Sequence, residues 1–318
     1  MHPHGKVIAL PAPVPGCVPE QVATQAQAWA WFQREQACAL AAQRAAADRR
    51  EHLAAWLLMR SLYPFHHLTA DMRNHVEACR TALNAALSQN DPTLQCDAHR
   101  FLGEALCGIG RHDEGMEHLH TALTTARHLD DRSYLSATHH AFALAWEHQG
   151  RHDEALRSAT RFLRLAALSG NPVLEARARS QAGRNAARLG RHDLAVAHCR
   201  AALPVHREYH DRDGEANSLF TLGLTALDTG DAQQAATHFQ AALTLFRTQA
   251  NTSMQADTLD RFAEALHAGG DREQAGDLWH DAAVLYHQQG RHDDATRVQR
   301  RLNGLSRFHG VPLTESAR

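Results

Sequence analysis

Residues 142–163 read FALAWEHQGRHDEALRSATRFL, with apolar and small residues three and four apart on either side of one glycine. Phe142, Ala143 and Trp146 form a stripe before Gly150, and Ala155 opens a second stripe after it. Such spacing is the 3.6-residue period of a helix buried on one face, so the stretch predicts two helices folded about a glycine turn. The pattern recurs at Gly110-Arg-His-Asp-Glu-Gly, Gly190-Arg-His-Asp-Leu-Ala, Gly230-Asp-Ala-Gln-Gln-Ala and Gly270-Asp-Arg-Glu-Gln-Ala, 40 residues apart each time. A further copy, Gly290-Arg-His-Asp-Asp-Ala, follows after 20, where a last helix would begin. Self-similarity at a fixed period means stacked units, none of which buries its apolar face alone.

Other positions keep the same phase. Gly103, Ala143, Gly183, Gly223 and Ala263 place a small residue where the two helices must approach closely. Leu119, Phe239 and Trp279 lie four residues beyond the first-turn small residue of the second helix. Turn glycines can take the left-handed conformation that ends a helix, and Asp231 and Asp271 are ready N-caps for the next. Asp91-Pro92 and Asn171-Pro172 pair a cap with proline at the first helical position. Strand signals are almost absent.

A small pair in the first helix, glycine at the turn, and alanine followed by an aromatic or leucine in the second resembles the tetratricopeptide repeat. The resemblance covers residues 91–290. Its 40-residue period is similar to the longer units in the C-terminal module of Streptomyces antibiotic regulatory proteins and related nucleotide-binding regulators. Ala28-Trp29-Ala30-Trp31-Phe32 with Trp56 and Tyr63-Pro64-Phe65 resembles the helical lead-in of those modules. The chain contains no GxxxxGK[ST] motif and resembles their sensor part alone. The fold expected is all-α, a right-handed α-solenoid of about five 40-residue units, one degenerate N-terminal repeat and capping helices.

Residues 50–89 phase as that degenerate repeat, since Thr81-Ala82-Leu83 aligns with Thr121-Ala122-Leu123. Its turn is expected at His66-His67-Leu68-Thr69, with the glycine replaced near Ala70. A helix over about 20–47 would cap one end, and another over about 292–305, bearing Arg297, Arg300 and Arg301, the other. Trp29, Trp31, Phe32 and Trp56 are expected to pack the cap onto the degenerate repeat. The domain reading is a disordered leader over 1–18, capping helix and degenerate repeat over 19–90, superhelix with its C-terminal cap over 91–306, and a flexible tail over 307–318.

Composition narrows the function. The 318 residues are 44% hydrophobic and 21% charged, which excludes collagen-like, wholly disordered and disulfide-scaffold classes. A formal charge of −2 gives no electrostatic footprint for gripping phosphates, so direct nucleic-acid binding is not expected. Lys6 is the sole lysine, and Ile8 and Ile109 are the only isoleucines, the skew of a high-GC genome. The 25 histidines then read as compositional first, and they predict an acid response as they protonate. Six cysteines without a CxxC pair read as buried thiols in a reducing compartment. The N-terminus lacks the apolar core of a signal peptide, and no segment is long enough to span a bilayer. The expected location is cytoplasmic, without membrane contact.

The Arg-His-Asp triplet invites a metal reading, yet His112, His152, His192 and His292 occupy one position in successive turns. Neighbours there are separated by at least a helix-packing distance of ~8–10 Å, far beyond shared coordination. His118 with His120, and His139 with His140, are too close in sequence to share a helix face. No metal, no cofactor and no catalytic motif of the GxSxG or GxGxxG type is expected.

The concave surface is the stronger candidate, because stacked helix pairs curve and expose one row of first-helix residues. Counting back from each turn glycine gives Arg100 and Glu104, His140, then Arg177, Gln181 and Arg184. Asn217, Phe220 and Thr221 follow, and then Asp260, Arg261 and Glu264. Basic middle repeats point to a ligand with an anionic part near Arg177 and Arg184, since guanidinium groups can fork a carboxylate or phosphate. The resemblance implies a protein or peptide partner, among them a DNA-binding or nucleotide-binding regulator. The carboxylate clamps of this fold use lysine and asparagine, and this chain cannot supply the lysine. The function expected is a non-catalytic binding module in bacterial regulation. A peptide-pheromone receptor, and an enzyme or assembly factor of a biosynthetic pathway, are the alternatives.

Overall fold

The computed structural model describes residues 16, 18, 20–69 and 72–307. Fourteen helices occupy them: α1 (Gln25–Asp48), α2 (His52–Thr69), α3 (Met72–Gln89), α4 (Pro92–Gly108), α5 (His112–His128), α6 (Arg132–His148) and α7 (His152–Leu168). They continue as α8 (Pro172–Arg188), α9 (His192–Glu208), α10 (Arg212–Asp228), α11 (Ala232–Thr248), α12 (Thr252–Ala268), α13 (Arg272–Gln288) and α14 (His292–Arg307). No strand occurs among the described residues. The chain is an all-α solenoid: cap α1, a degenerate hairpin α2–α3, five regular hairpins from α4–α5 to α12–α13, and cap α14. The expected leader over 1–18 and tail over 307–318 lie almost entirely outside the described residues.

Turn chemistry sets this regularity. Each hairpin from α4–α5 onward closes on a glycine in the left-handed region, as at Gly150 with φ 70°. There Arg151 N–H reaches back to Trp146 C=O at 2.9 Å and Gly150 N–H to Glu147 C=O at 2.9 Å, satisfying carbonyls the helix end leaves open. Turns between hairpins also need positive φ; Gly170 supplies it at φ 67°, but the others use Asn90, Asp130, His210 and Ala250, at φ 48–55°. The expected caps form, Asp231 accepting from Gln234 N–H at 2.9 Å and Asp271 from Gln274 N–H at 3.1 Å. Asp91 and Asn171 cap α4 and α8 ahead of their prolines.

Helices pack closely where small residues face large ones. A β-carbon at Gly223 would stand 2.7 Å from Phe239 Cε1, so glycine lets the wholly buried Phe239 ring lie on the α10 backbone. Burying an aromatic of this size contributes about 1.5–3 kcal/mol over leaving it exposed.

Two expectations are corrected. His66–Thr69 do not form the turn of the degenerate repeat: α2 runs through Thr69 with Pro64 inside it. His66 is buried, its ring 5.6 Å from that of His75, so packing against α3 keeps the segment helical. Cys38 is exposed, whereas Cys79, Cys96, Cys107 and Cys199 are buried as expected; Cys17 lies outside the described residues. Burial pushes the Cys96 and Cys107 thiols up to about 11. Trp29 and Phe32 of α1 pack on Phe65 of α2, with ring centroids 5.1 and 5.5 Å apart, which seats the cap as expected.

Even-numbered helices from α4 to α12 touch their next even neighbours, and α12 returns against α2. The even row therefore lines the inside of the curve, and the winding brings its two ends into contact.

Candidate functional site

All twelve groove candidates stand on inner helices: Arg100 and Glu104 on α4, His140 on α6, Arg177, Gln181 and Arg184 on α8, Asn217, Phe220 and Thr221 on α10, and Asp260, Arg261 and Glu264 on α12. Only some of them meet at one place. A trough of about 470 Å³ is lined by Arg184, Phe220, Asp260 and Arg261 together with Glu147, Arg188, Met254, Asp257, Tyr286 and Arg291. Its walls come from four inner helices, α6, α8, α10 and α12, and from the last turn at α13–α14.

Several candidates are instead committed to the scaffold. Arg177 forks Asp211, Nε to Oδ2 at 2.8 Å and Nη2 to Oδ1 at 2.7 Å, and Asp211 is buried. Burial alone would raise the Asp211 carboxyl, but hydrogen bonds from Arg177 and His206 hold it well below the usual carboxylate range. Glu104 is buried and accepts from Tyr63 Oη at 2.9 Å. Gln181 joins α8 to α6 through His140 Nδ1 at 2.9 Å. Thr221 and Asn217 donate to backbone carbonyls of their own helix. Asp260 accepts from Trp279 Nε1 at 3.1 Å and from Arg297 and Arg301 at 2.8 Å each, clasping α14 onto α12. Glu264 pairs with Arg261 at 2.8 Å.

In the trough proper, charges of both signs alternate. Arg291 bridges Asp257 and Asp294 at 2.8 and 2.9 Å, and Tyr286 Oη donates to Asp257 at 2.9 Å. Arg184 reaches Glu147 only at 3.5 Å, while Asn185 also donates to Glu147. Arg188, one turn further along α8, has no carboxylate at ion-pair distance among the described residues. The side chain is exposed, yet partial desolvation by the surrounding walls, then repulsion from Arg261 and Arg184, depresses its guanidinium. The sequence reading missed Arg188, although Arg177, Gln181, Arg184 and Arg188 keep one helix face at steps of four, three and four; Asp257 and Arg291 carried no such signal.

One array of catalytic residue types does form. Asp211 Oδ2 lies 3.0 Å from His206 Nδ1, and His206 Nε2 lies 2.9 Å from Ser180 Oγ. Ser180 is also 2.7 Å from Ser218 Oγ. Hydrolases use this hydrogen-bond order, but there the serine meets substrate. Here Ser180 is 7% exposed and His206 fully buried between α8, α9 and α10, so the array ties neighbouring hairpins together.

Histidines elsewhere act locally. His99 and His118 face each other across α4–α5 with Nδ1 atoms 2.9 Å apart, and burial followed by His118 pushes His99 down to about 4. In the repeated triplet, Arg151 lies over the Trp146 ring at 4.3 Å and pairs with Glu154, while His112, His152 and His192 are half-buried beside it or at equivalent turns. Among the described residues no three His, Cys, Asp or Glu side chains are grouped to hold a metal. Nor is any described helix long and apolar enough to cross a membrane.

Residues 174–248 match the tetratricopeptide repeat family model, and the hairpins on either side continue the same 40-residue phase. The architecture is that of a solenoid of tetratricopeptide-type hairpins. Solved structures with the same fold include a Rap protein complexed with competence and sporulation factor, 13% identical, with a TM-score of 0.61 over 89% of this chain and 84% of that one. BtubC (BKLC) from P. vanneervenii is 18% identical, with a TM-score of 0.52 over 79% of this chain and 95% of its own. A signal transduction ATPase with a tetratricopeptide repeat sensor, from Pyrococcus horikoshii, is 14% identical with a TM-score of 0.54; the match covers 79% of this chain but 44% of that protein. Comparison with curated protein sequences found no match.

Proposed function

We propose that this chain is a non-catalytic recognition module of a bacterial regulatory system, holding a protein or peptide segment in the trough between its inner helices. The observation that carries this reading is the trough itself, where four inner helices converge on charged groups that the scaffold only partly neutralises. Fold likeness to a Rap protein crystallised with competence and sporulation factor, and to an ATPase with a repeat sensor, supports a signalling setting. The partner is a regulator that binds DNA or nucleotide itself, and this chain acts in the cytoplasm without contacting nucleic acid or membrane. Binding across several hairpins would favour one curvature of the stack, by as much as the ligand prefers that curvature over others.

Phe220, Met254 and Tyr286 in the lining favour a second reading, a receptor for an apolar signalling peptide. Affinity insensitive to salt would mark that case, whereas recognition by the arginines weakens as salt rises. The test is capture from the native lysate with wild type, with Arg184→Glu/Arg188→Glu, and with Arg200→Glu on exposed α9 surface. A partner retained by wild type and Arg200→Glu but lost by the double variant is expected. Identical retention by all three sinks the trough as the site.

A further inference from the structure

Three guanidinium groups, those of Arg184, Arg188 and Arg261, face one region of the inner surface from α8 and α12. Their carboxylate partners are unequal. Arg261 pairs with Glu264 three residues away, and both side chains are about one-third exposed. Arg184 holds Glu147 at 3.5 Å, and its buried Nε has no hydrogen-bond partner. Arg188 has no ion pair among the described residues, and desolvation, then Arg261 on α12 and Arg184 one turn back on α8, push its protonated form up in energy. Arg184 and Arg261 are half-buried and Arg188 is exposed at the trough wall, and repulsion among cations set this close is relieved by an anion that accepts from more than one fork.

Placement specifies more than charge. Arg188 and Arg261 line the trough of about 470 Å³ and also a second cavity of about 410 Å³. The second cavity is bounded by Ala187, Leu224, Leu227 and Ala268, with Asp228 and Glu264. The two arginines therefore stand at the border of two spaces. A chain ending in its carboxylate at this point would fill one space and leave the other empty. A chain running through both would bring a side chain to the arginines.

Resting on the recognition reading above, we propose that the Arg188–Arg261 border is an anion site for an acidic side chain in the interior of an extended peptide segment. Apolar residues on one side of that acid lie against Leu224 and Leu227, and polar ones on the other side run into the charged trough. A terminal carboxylate is not the feature read.

The probe is a pool of fluorescein-labelled, C-terminally amidated octapeptides with glutamate fixed at an inner position, set against a pool with glutamine there and a pool with free C-termini and no inner acid. Binding to the whole chain is followed by fluorescence polarisation. The glutamate pool is expected to bind, the other two to bind at least about tenfold more weakly, and Arg188→Gln to remove that preference. Arg188→Gln removes a repelled charge and is expected to melt no lower than wild type, so a lost preference reports the site rather than unfolding. Equal binding of glutamate and glutamine pools, preference for free C-termini, unchanged preference in Arg188→Gln, or no binding of the glutamate pool overturns the proposal. The lysate experiment judges trough recognition independently, since a partner can depend on Arg184 and Arg188 together without an inner acid being read.

Discussion

His206 lies over the backbone of Gly214: a β-carbon built at Gly214 would stand 2.1 Å from His206 Cε1 and 2.2 Å from Nδ1. The first turn of α10 thus has no side chain where the imidazole sits, and the ring reaches Asp211 on one edge and Ser180 on the other. Gly214→Ala is expected to expel the ring or shift α10, costing about 2–3 kcal/mol by overpacking. A lower urea midpoint with unchanged slope measures it. Stability equal to wild type would contradict this packing.

Arg177 and Asp211 form the charged end of the same array. Arg177→Met leaves a buried carboxylate beside His206 without its fork, and a loss of about 3 kcal/mol is expected. Asp211→Asn on the Arg177→Met background should recover part of that loss, because no buried charge remains; a thermodynamic cycle of the variants reports it. No recovery would mean that Arg177 stabilises through its stem rather than its charge.

Acid should weaken the fold before most carboxylates titrate. Burial pushes His99 and His139 down to about 4, against an ordinary value of about 6.5. The unfolded chain then binds more protons than the folded one, so their contribution is complete above about pH 6.5 and is lost as pH falls toward 4. Each would have lost about 1 kcal/mol by pH 5.5. A melting temperature lower at pH 5.5 than at pH 7.5 is expected, and equal values would contradict it.

Asp260 holds α14 by accepting from Arg297, Arg301 and Trp279. Asp260→Asn keeps the shape but loses both charge-assisted bonds, so α14 should open more often. Hydrogen exchange along residues 292–307 is expected to quicken, with α4–α5 unchanged because contacts in a repeat stack are between neighbours. Uniform acceleration would show that the chain opens as one unit.

Ala250 has φ 55°, a conformation in which its β-carbon crowds the backbone. Glycine holds equivalent turns such as Gly170 and Gly230. Ala250→Gly is expected to raise stability by about 0.5–1 kcal/mol, the relief of crowding exceeding the added freedom of the unfolded chain. A lower urea midpoint would show that the turn tolerates the β-carbon.

Helix order, turn positions and the close approaches at Gly223 were legible because each depends on residues within one 40-residue unit, where apolar period and turn glycine are local facts. His66 was misread because the degenerate unit lacks its glycine, and only burial against His75 reveals that α2 continues. Among the groove residues, the shared face was legible and their partners were not. Arg177 and Arg184 look alike in sequence, yet one forks Asp211, 34 residues on, and the other reaches Glu147 only at 3.5 Å. Those outcomes follow from curvature, a small rotation per hairpin summed over the stack. The sequence alone determined that helical hairpins stack; the accumulated winding, which no single repeat encodes, decided that α12 meets α2 and which charges are left facing the trough.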